Sequence, residues 1–265
     1  MVDLQALRRD LADEHLELDD VLVGLDAPEW DRPTPAPGWA VRDQISHLAF
    51  FDEQALLATS DPDGFADALS RATSVSEYID EPLERGRTMD PSAVLAWWRT
   101  ARAAMLDAFG HADPSVRIPW FGPPMSPASF ISARLMETWA HGQDIVDALG
   151  TTRTPTARLK HVAHLGVRAR RNSYAANGRT MPDEEVRVDL RAPSGERWVW
   201  NADARHAVTG DALDFCLVVT QRRHPADTGL QIEGDLAGEW ISIAQAFAGP
   251  PGTGREPGQF PREDA

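Results

Sequence analysis

The chain is poor in the residues that cross-link a scaffold. One of its 265 residues is cysteine, Cys216, which excludes an internal disulfide, a four-cysteine zinc site and an iron-sulfur cluster held by this chain alone. Any metal must therefore rest on histidine and carboxylate. Lysine is represented by Lys160 alone, and 26 basic residues face 41 acidic ones, a formal charge of −15. Such a balance argues against a nucleic-acid partner and against an anionic membrane surface. Long apolar runs are missing as well: the longest, Ala93 to Trp98, is far short of the roughly 20 residues that cross a bilayer. The first ten residues carry acids in an amphipathic pattern, without the basic segment and continuous apolar stretch of a secretory signal, so a cytoplasmic location is expected.

What is present is ample material for a core. Hydrophobic residues make up 42 %, with 9 Trp and 9 Phe, well outside the composition of disordered chains. The length suits one large domain or two modest ones, and two are expected. Abundant Ala, Pro and Gly, with Arg replacing Lys almost throughout, is what a GC-rich genome encodes.

The pattern along the chain divides it. Leu4, Leu7, Leu11, Leu18, Leu22 and Leu25 recur at three- and four-residue spacing, which predicts an amphipathic helix over roughly 2–25. Pro33, Pro35, Pro37 and Gly38 forbid helix and make a stiff connection. Val41, Ile45 and Leu48 restart the stripe for a helix over about 41–58. Residues 61–90 are acidic and weakly patterned, and a third helix, 91–110, opens with Pro in its first turn. Pro114 to Met125 reads as an apolar loop of the kind that lines sites. Ser126-Pro127 caps a fourth helix that runs to a stop at Gly150. Four long helices imply an antiparallel bundle. Another helix over 156–176 precedes a change of texture: strict alternation in Val186 to Arg191 and Glu196 to Trp200 predicts a hairpin. A helix over 210–222, a short strand near Leu230 and a last helix over 236–247 complete a smaller unit. The expected architecture is thus α+β: a helical bundle, 1–155, a carboxy-terminal α+β domain, 156–248, and a mobile Pro/Gly-rich tail, 249–265.

Arg134, Glu137, His141 and Asp144 follow one another at spacings of three, four and three on the fourth helix, so one face presents all four. A carboxylate and an imidazole one turn apart can grip one divalent ion from a single rigid helix, and a third ligand from another helix completes such a set. His47, within the apolar stretch Ser46-His47-Leu48-Ala49-Phe50-Phe51, is the candidate. Asp144 and Arg134 flank the pair as residues that could orient a ligand. The same stripe also fits a solvated polar face, and a solitary histidine near a core is often structural, so spacing alone leaves both readings open. Asp43 fits a first-turn acid that caps its helix. Cys216 fits a buried, inert thiol. His161 and His164 lie one turn apart without a third ligand in view. Trp39, Trp120 and Phe121 fit an apolar wall beside the site, and Trp139 fits the core.

Pro33-Thr-Pro-Ala-Pro-Gly-Trp-Ala-Val-Arg-Asp-Gln-Ile-Ser-His47 and Glu137-Thr-Trp-Ala-His141-Gly-Gln-Asp144 resemble the DinB-like metal-binding four-helix bundles, in particular their mycothiol-dependent maleylpyruvate isomerase branch. The resemblance implies a divalent metal, taken as zinc, on His47, Glu137 and His141, and a low-molecular-weight thiol, mycothiol, as cofactor. It covers about 150 residues and extends into the carboxy-terminal unit, where Gly210-Asp-Ala-Leu-Asp-Phe-Cys is similar to an actinobacterial subgroup sometimes labelled with wyosine base formation. A tRNA-modifying role fits poorly with a charge of −15 and no basic patch. In the isomerase branch an arginine near the end of a late helix assists the substrate. Arg222 holds the most similar place, although the branch's Gly-Arg reads Gln221-Arg222-Arg223 here.

Two imidazoles and one carboxylate leave coordination positions open, the mark of a catalytic metal. With no cysteine placed as nucleophile, a thiol would come as an added cofactor, and the resulting expectation is a metal- and mycothiol-dependent isomerase or transferase acting on a small molecule in a wide pocket between the two domains. A metal-dependent hydrolase using metal-bound water and a non-catalytic small-molecule binder with a vestigial metal share the same ligand set.

Overall fold

The computed structural model describes residues 3–71 and 75–261, with backbone alone at 75–79. It divides into two compact units, Met1–Arg153 and Thr154–Ala265.

The first unit is helical. Its elements are α1 (Leu4–Val23), the single turn α2 (Ala27–Trp30), α3 (Val41–Ser60), α4 (Pro62–Arg71), α5 (Val75–Arg87), α6 (Pro91–Gly110) and α7 (Pro127–Leu149). The four long helices are α1, α3, α6 and α7. Their starts are set chemically: the Asp3 carboxylate accepts from the amides of Gln5 and Ala6, Ser126 caps α7 by accepting from Ser129, and Gly150, at φ +66, closes α7 in the left-handed conformation. Side-chain ties fix the directions. Arg8 donates to the Leu106 carbonyl and Arg102 to that of His15, so α6 runs opposite to α1. Arg42 donates to the Met89 carbonyl and Trp97 to Glu53, so α3 and α6 run the same way. Two helices point up and two down, and the parallel neighbours α3 and α6 require a long crossover.

That crossover is the acidic, weakly patterned stretch after residue 60, and it is helical where the sequence pattern shows no element. Its helices α4 and α5 draw their order from packing. Phe65 of α4 is buried, and Gly86 of α5 lies so close to α3 that a Cβ there would meet the Ser46 hydroxyl at 1.8 Å. Arg87 grips both oxygens of Asp43 at 2.9 and 3.0 Å, while Asp43 accepts from the Ala40 amide at the start of α3. The first-turn acid is a structural cap, as its position predicts.

Charges inside the bundle are paired. Asp19 of α1 takes both Arg99 and Arg102 of α6, and Asp52 of α3 holds Arg134 of α7 at 2.8 Å, each side chain 3 % exposed or less. Burial raises the Asp52 carboxyl from its ordinary value, and Arg134 offsets this only in part. His15 is driven well below its ordinary value by burial and by Arg102 and Arg134 nearby, which keeps a third positive charge out of this layer.

The second unit is α+β. Helices α8 (Leu159–Arg168) and α9 (Arg170–Ala176) precede β1 (Val186–Arg191), β2 (Arg197–Trp200), β3 (His206–Asp211), α10 (Ala212–Val219), β4 (Gln231–Glu233) and α11 (Asp235–Ile243). The sheet order is β2-β1-β3-β4. The expected hairpin is present, Leu190 opposite Trp198. Strand β3 pairs parallel to β1, which makes the start of the expected 210–222 helix the end of a central strand. Val186, Val188 and Leu190 are buried in strict alternation, and Phe215 of α10 and Trp240 of α11, both buried, meet ring to ring at 6.0 Å. Residues 250–261 form no helix or strand and are tied to the second unit: Gly252 donates to Gln245, Gly258 and Phe260 donate to Asp227, and Arg223 covers the Phe260 ring. Among the described residues no helix is long and apolar enough to cross a membrane.

Removing one partner of a buried ion pair leaves an uncompensated charge and costs about 3–5 kcal/mol, whereas replacing both with apolar residues is often neutral. Asp52→Ala should therefore lower unfolding stability in urea by about that amount, and Asp52→Leu combined with Arg134→Met should recover most of it. A double variant as unstable as the sum of its singles would show that the two charges act independently.

Candidate metal centre

The site forms where α3 crosses α7 in opposite directions. His47 comes from the second turn of α3. Glu137 and His141 come from successive turns of α7 and are joined by a 3.2 Å contact between His141 Nε2 and Glu137 Oε2. One donor atom from each of His47, Glu137 and His141 lies within 4.8 Å of the other two, and the two imidazole centroids are 4.5 Å apart. Two imidazole nitrogens and a carboxylate oxygen are the donors that suit zinc. A tetrahedral ion holds adjacent donors about 3.3 Å apart, close to the separation of Glu137 and His141. The residues fit a divalent ion with three protein ligands.

Electrostatics favour the same use. Burial raises the Glu137 carboxyl, yet the hydrogen bond from His141 and the charges of His141, Arg134 and His47 prevail and hold it at about 2. Glu137 is thus a carboxylate at any physiological pH. Arg134 does not touch a member of the triad. Its guanidinium is taken by Asp52, with bonds of 2.8 and 3.1 Å to one oxygen, and it reaches Glu137 through its field. Asp144 is buried one turn beyond His141.

Around the triad stands an aromatic wall. Trp39 stacks on His141 at 5.9 Å with planes 12° apart and lies 5.2 Å from His47. Phe51, one turn after His47, packs on it at 4.5 Å and continues the wall to Phe121 at 5.5 Å and Trp120 at 6.2 Å. Trp120 in turn stacks on Phe65 of α4. Of the three expected wall residues, Trp39 meets the histidines directly, and Trp120 and Phe121 are linked to them by Phe51. Trp139 is buried, with the Arg153 guanidinium 5.6 Å from its ring.

Gln44 escaped the sequence reading. It is fully buried one turn before His47, and its Oε1 lies 2.5 Å from His141 Nδ1. Its signal was a polar residue on the apolar side of an amphipathic helix, on the same face as a histidine. Gly142 has a packing reason beside His141, because a Cβ there would meet Arg153 Nη1 at 2.6 Å, where Arg153 is held by Glu14 at 3.1 Å.

Arg222 lies in the second unit, directly after α10, and donates to the Thr220 carbonyl at 2.6 Å. The chain turns there at Gln221, with φ +61, a conformation glycine adopts at least cost. His164 accepts from Trp200 at 3.2 Å. Cys216 is buried in α10 with its thiol directed at the Leu159 carbonyl, and burial pushes its pKa up. A thiol-specific reagent should therefore leave Cys216 unmodified in the native protein and modify one thiol per chain after denaturation. Rapid native labelling would instead mark it as an accessible nucleophile.

Comparison with known proteins gives concordant results. The family model described as mycothiol maleylpyruvate isomerase N-terminal domain matches residues 11–146. Two uncharacterized proteins of Mycobacterium tuberculosis, from strains CDC 1551 and H37Rv, are each 44 % identical over 248 residues, 93 % of this chain and 96 % of theirs. Among solved structures, the mycothiol-dependent maleylpyruvate isomerase and a histidine-to-alanine mutant of it each match with a TM-score of 0.60, at 17 % and 16 % identity, over 84 % of this chain and 90 % of theirs. At that identity the likeness shows a shared fold.

Proposed function

The chain belongs to the mycothiol maleylpyruvate isomerase N-terminal domain family, and on that premise we propose that it is a divalent-metal protein that uses mycothiol as an isomerase or transferase on a small molecule. The observation that carries the reading is the convergence of His47, Glu137 and His141 from two helices, with one donor atom from each within 4.8 Å of the others. Zinc is the ion the donor set suits best.

Held there, a divalent ion would supply a Lewis-acidic centre that favours the thiolate, whereas a free thiol of pKa about 8.5 is only about 3 % ionised at pH 7. The chain's own side chains prepare the place. Glu137 presents a carboxylate that needs no deprotonation, since it titrates at about 2. Trp39 and Phe51 press on the two imidazoles from their flanks and fix the ring planes. With Trp120 and Phe121 they offer an apolar wall that excludes water and suits a flat or apolar part of a thiol adduct or substrate. Within the first unit Arg134 is committed to Asp52 and Arg87 to Asp43.

Protein purified without an affinity tag should contain close to one divalent ion per chain, and His141→Ala should lose most of it. Titrating mycothiol into cobalt-substituted protein should produce a sulfur-to-cobalt charge-transfer band in the wild type and none in His47→Ala. Equal metal content in wild type and His141→Ala would overturn the ligand assignment. Bound cobalt without a band at millimolar thiol would remove the thiol and leave hydrolysis or ligand binding as the use of the site.

A further inference from the structure

Thr34, Gln44 and His141 form a chain of hydrogen bonds whose directions can be assigned from one end. The Thr34 hydroxyl has a single proton, and it points to the Trp39 carbonyl at 2.9 Å. Toward Gln44, 2.9 Å away, the Thr34 oxygen is therefore an acceptor, and Gln44 must present its Nε2 amide protons there. The opposite end of the same amide, Oε1, is then what faces His141 Nδ1 at 2.5 Å. A carbonyl oxygen only accepts, so Nδ1 carries the proton. Rotating the Gln44 amide by half a turn would set Oε1 against Thr34 and force the hydroxyl to abandon Trp39, a loss of one buried hydrogen bond and on the order of ten-fold in population.

We propose that Gln44, oriented by Thr34, is the positioning residue that keeps Nδ1 of His141 protonated and turns Nε2 to the side of Glu137 as the donor nitrogen. Gln44 is fully buried, so it acts through His141 and has no access to a substrate. The Pro-rich loop is the fixed point of the device. Its ends are tied as an antiparallel bridge, Pro33 to Ala40, and the Thr34 amide donates to the same Trp39 carbonyl at 2.7 Å. Arg87 adds a bond to the Gly38 carbonyl at 3.1 Å. Trp39, whose backbone anchors the relay, stacks its indole on the imidazole that the relay orients, so one short loop bears on both the plane of His141 and its Nδ1 proton. A ligating histidine generally gives its second N–H to such an outer partner, and loss of that partner weakens metal binding 10–100-fold. The consequence for metal affinity rests on the ligand set proposed above. The proton on Nδ1 does not.

Nitrogen-15 NMR of the His141 ring, in metal-free and zinc-loaded protein, reads the proton directly, alongside zinc affinity by competition with a chelator. Nδ1 should be protonated in both states of the wild type. Gln44→Leu should bind zinc 10–100-fold more weakly and lose the protected Nδ1 proton to exchange. Gln44→Glu, which retains an acceptor, should restore both. If Gln44→Leu does not fold, Thr34→Val serves instead, leaving the amide free to turn and weakening zinc in the same direction. An unprotonated Nδ1 in the wild type, or wild-type zinc affinity in both Gln44→Leu and Thr34→Val, would overturn the proposal. A wild type that takes up no zinc would refute the metal reading alone, because the Nδ1 proton in the metal-free protein still decides the role of Gln44.

Discussion

The register between α3 and α7 is the constraint on which the site depends. Polar ties cross this interface from Gln44 to His141 and from Asp52 to Arg134. They lie eight residues apart on one helix and seven on the other, about 12 and 10.5 Å along axes that run in opposite directions. His47 and Glu137 fall between the two ties. A slip of one residue along either helix would rotate its side chains by about 100° and separate every one of these pairs at once. Neither tie is an efficient source of net stability, since buried polar pairs return little beyond their desolvation cost. Their worth lies in permitting a single alignment.

The loop ahead of α3 answers to the same logic. Three prolines alternate with small residues and fix φ at each alternate position, so the loop is shaped before it docks. Its carbonyls at Gly38 and Trp39 are then used by Arg87 and Thr34. Helix α5, reached through an acidic stretch of unremarkable composition, supplies Arg87 and thereby steadies a residue stacked on the candidate ligand. Elements with little hydrophobic pattern of their own hold the surroundings of the site.

The long helices and the hairpin were legible because their burial is periodic: one stripe on each helix, and strict alternation in β1. The pair Glu137 and His141 was legible for a related reason, since ligands one turn apart leave a local trace. Helices α4 and α5 left none, because one buried Phe65 and the close approach of Gly86 to Ser46 order them through neighbours distant in sequence. Strand β3 left little trace because only Ala207 and Val208, adjacent in sequence, are buried among its six residues, so it shows no alternation. Arg134 was read as a companion of the ligands on the same face. The structure gives it to Asp52, 82 residues away, a partner no helical period could suggest. Gln44 was overlooked because a buried amide resembles any polar residue near a helix start until its partners are known.

The parallel pairing of α3 with α6 has a consequence for how the unit assembles. An up-down-up-down bundle can zip from one helical hairpin to the next, but here neighbouring helices are separated by a crossover that must itself fold. The contacts that define the centre span still more chain, from position 47 to 137 and from 14 to 153. Such non-local pairing raises contact order, and folding slows as loop closure precedes its reward. On a ribosome His47 would emerge long before its partners on α7. An ion meeting the nascent chain would find one imidazole and no chelate, so capture belongs to the finished bundle. Metal supply would then act on this protein as a ligand acts on a native state, by mass action, and not as the nucleus around which it folds.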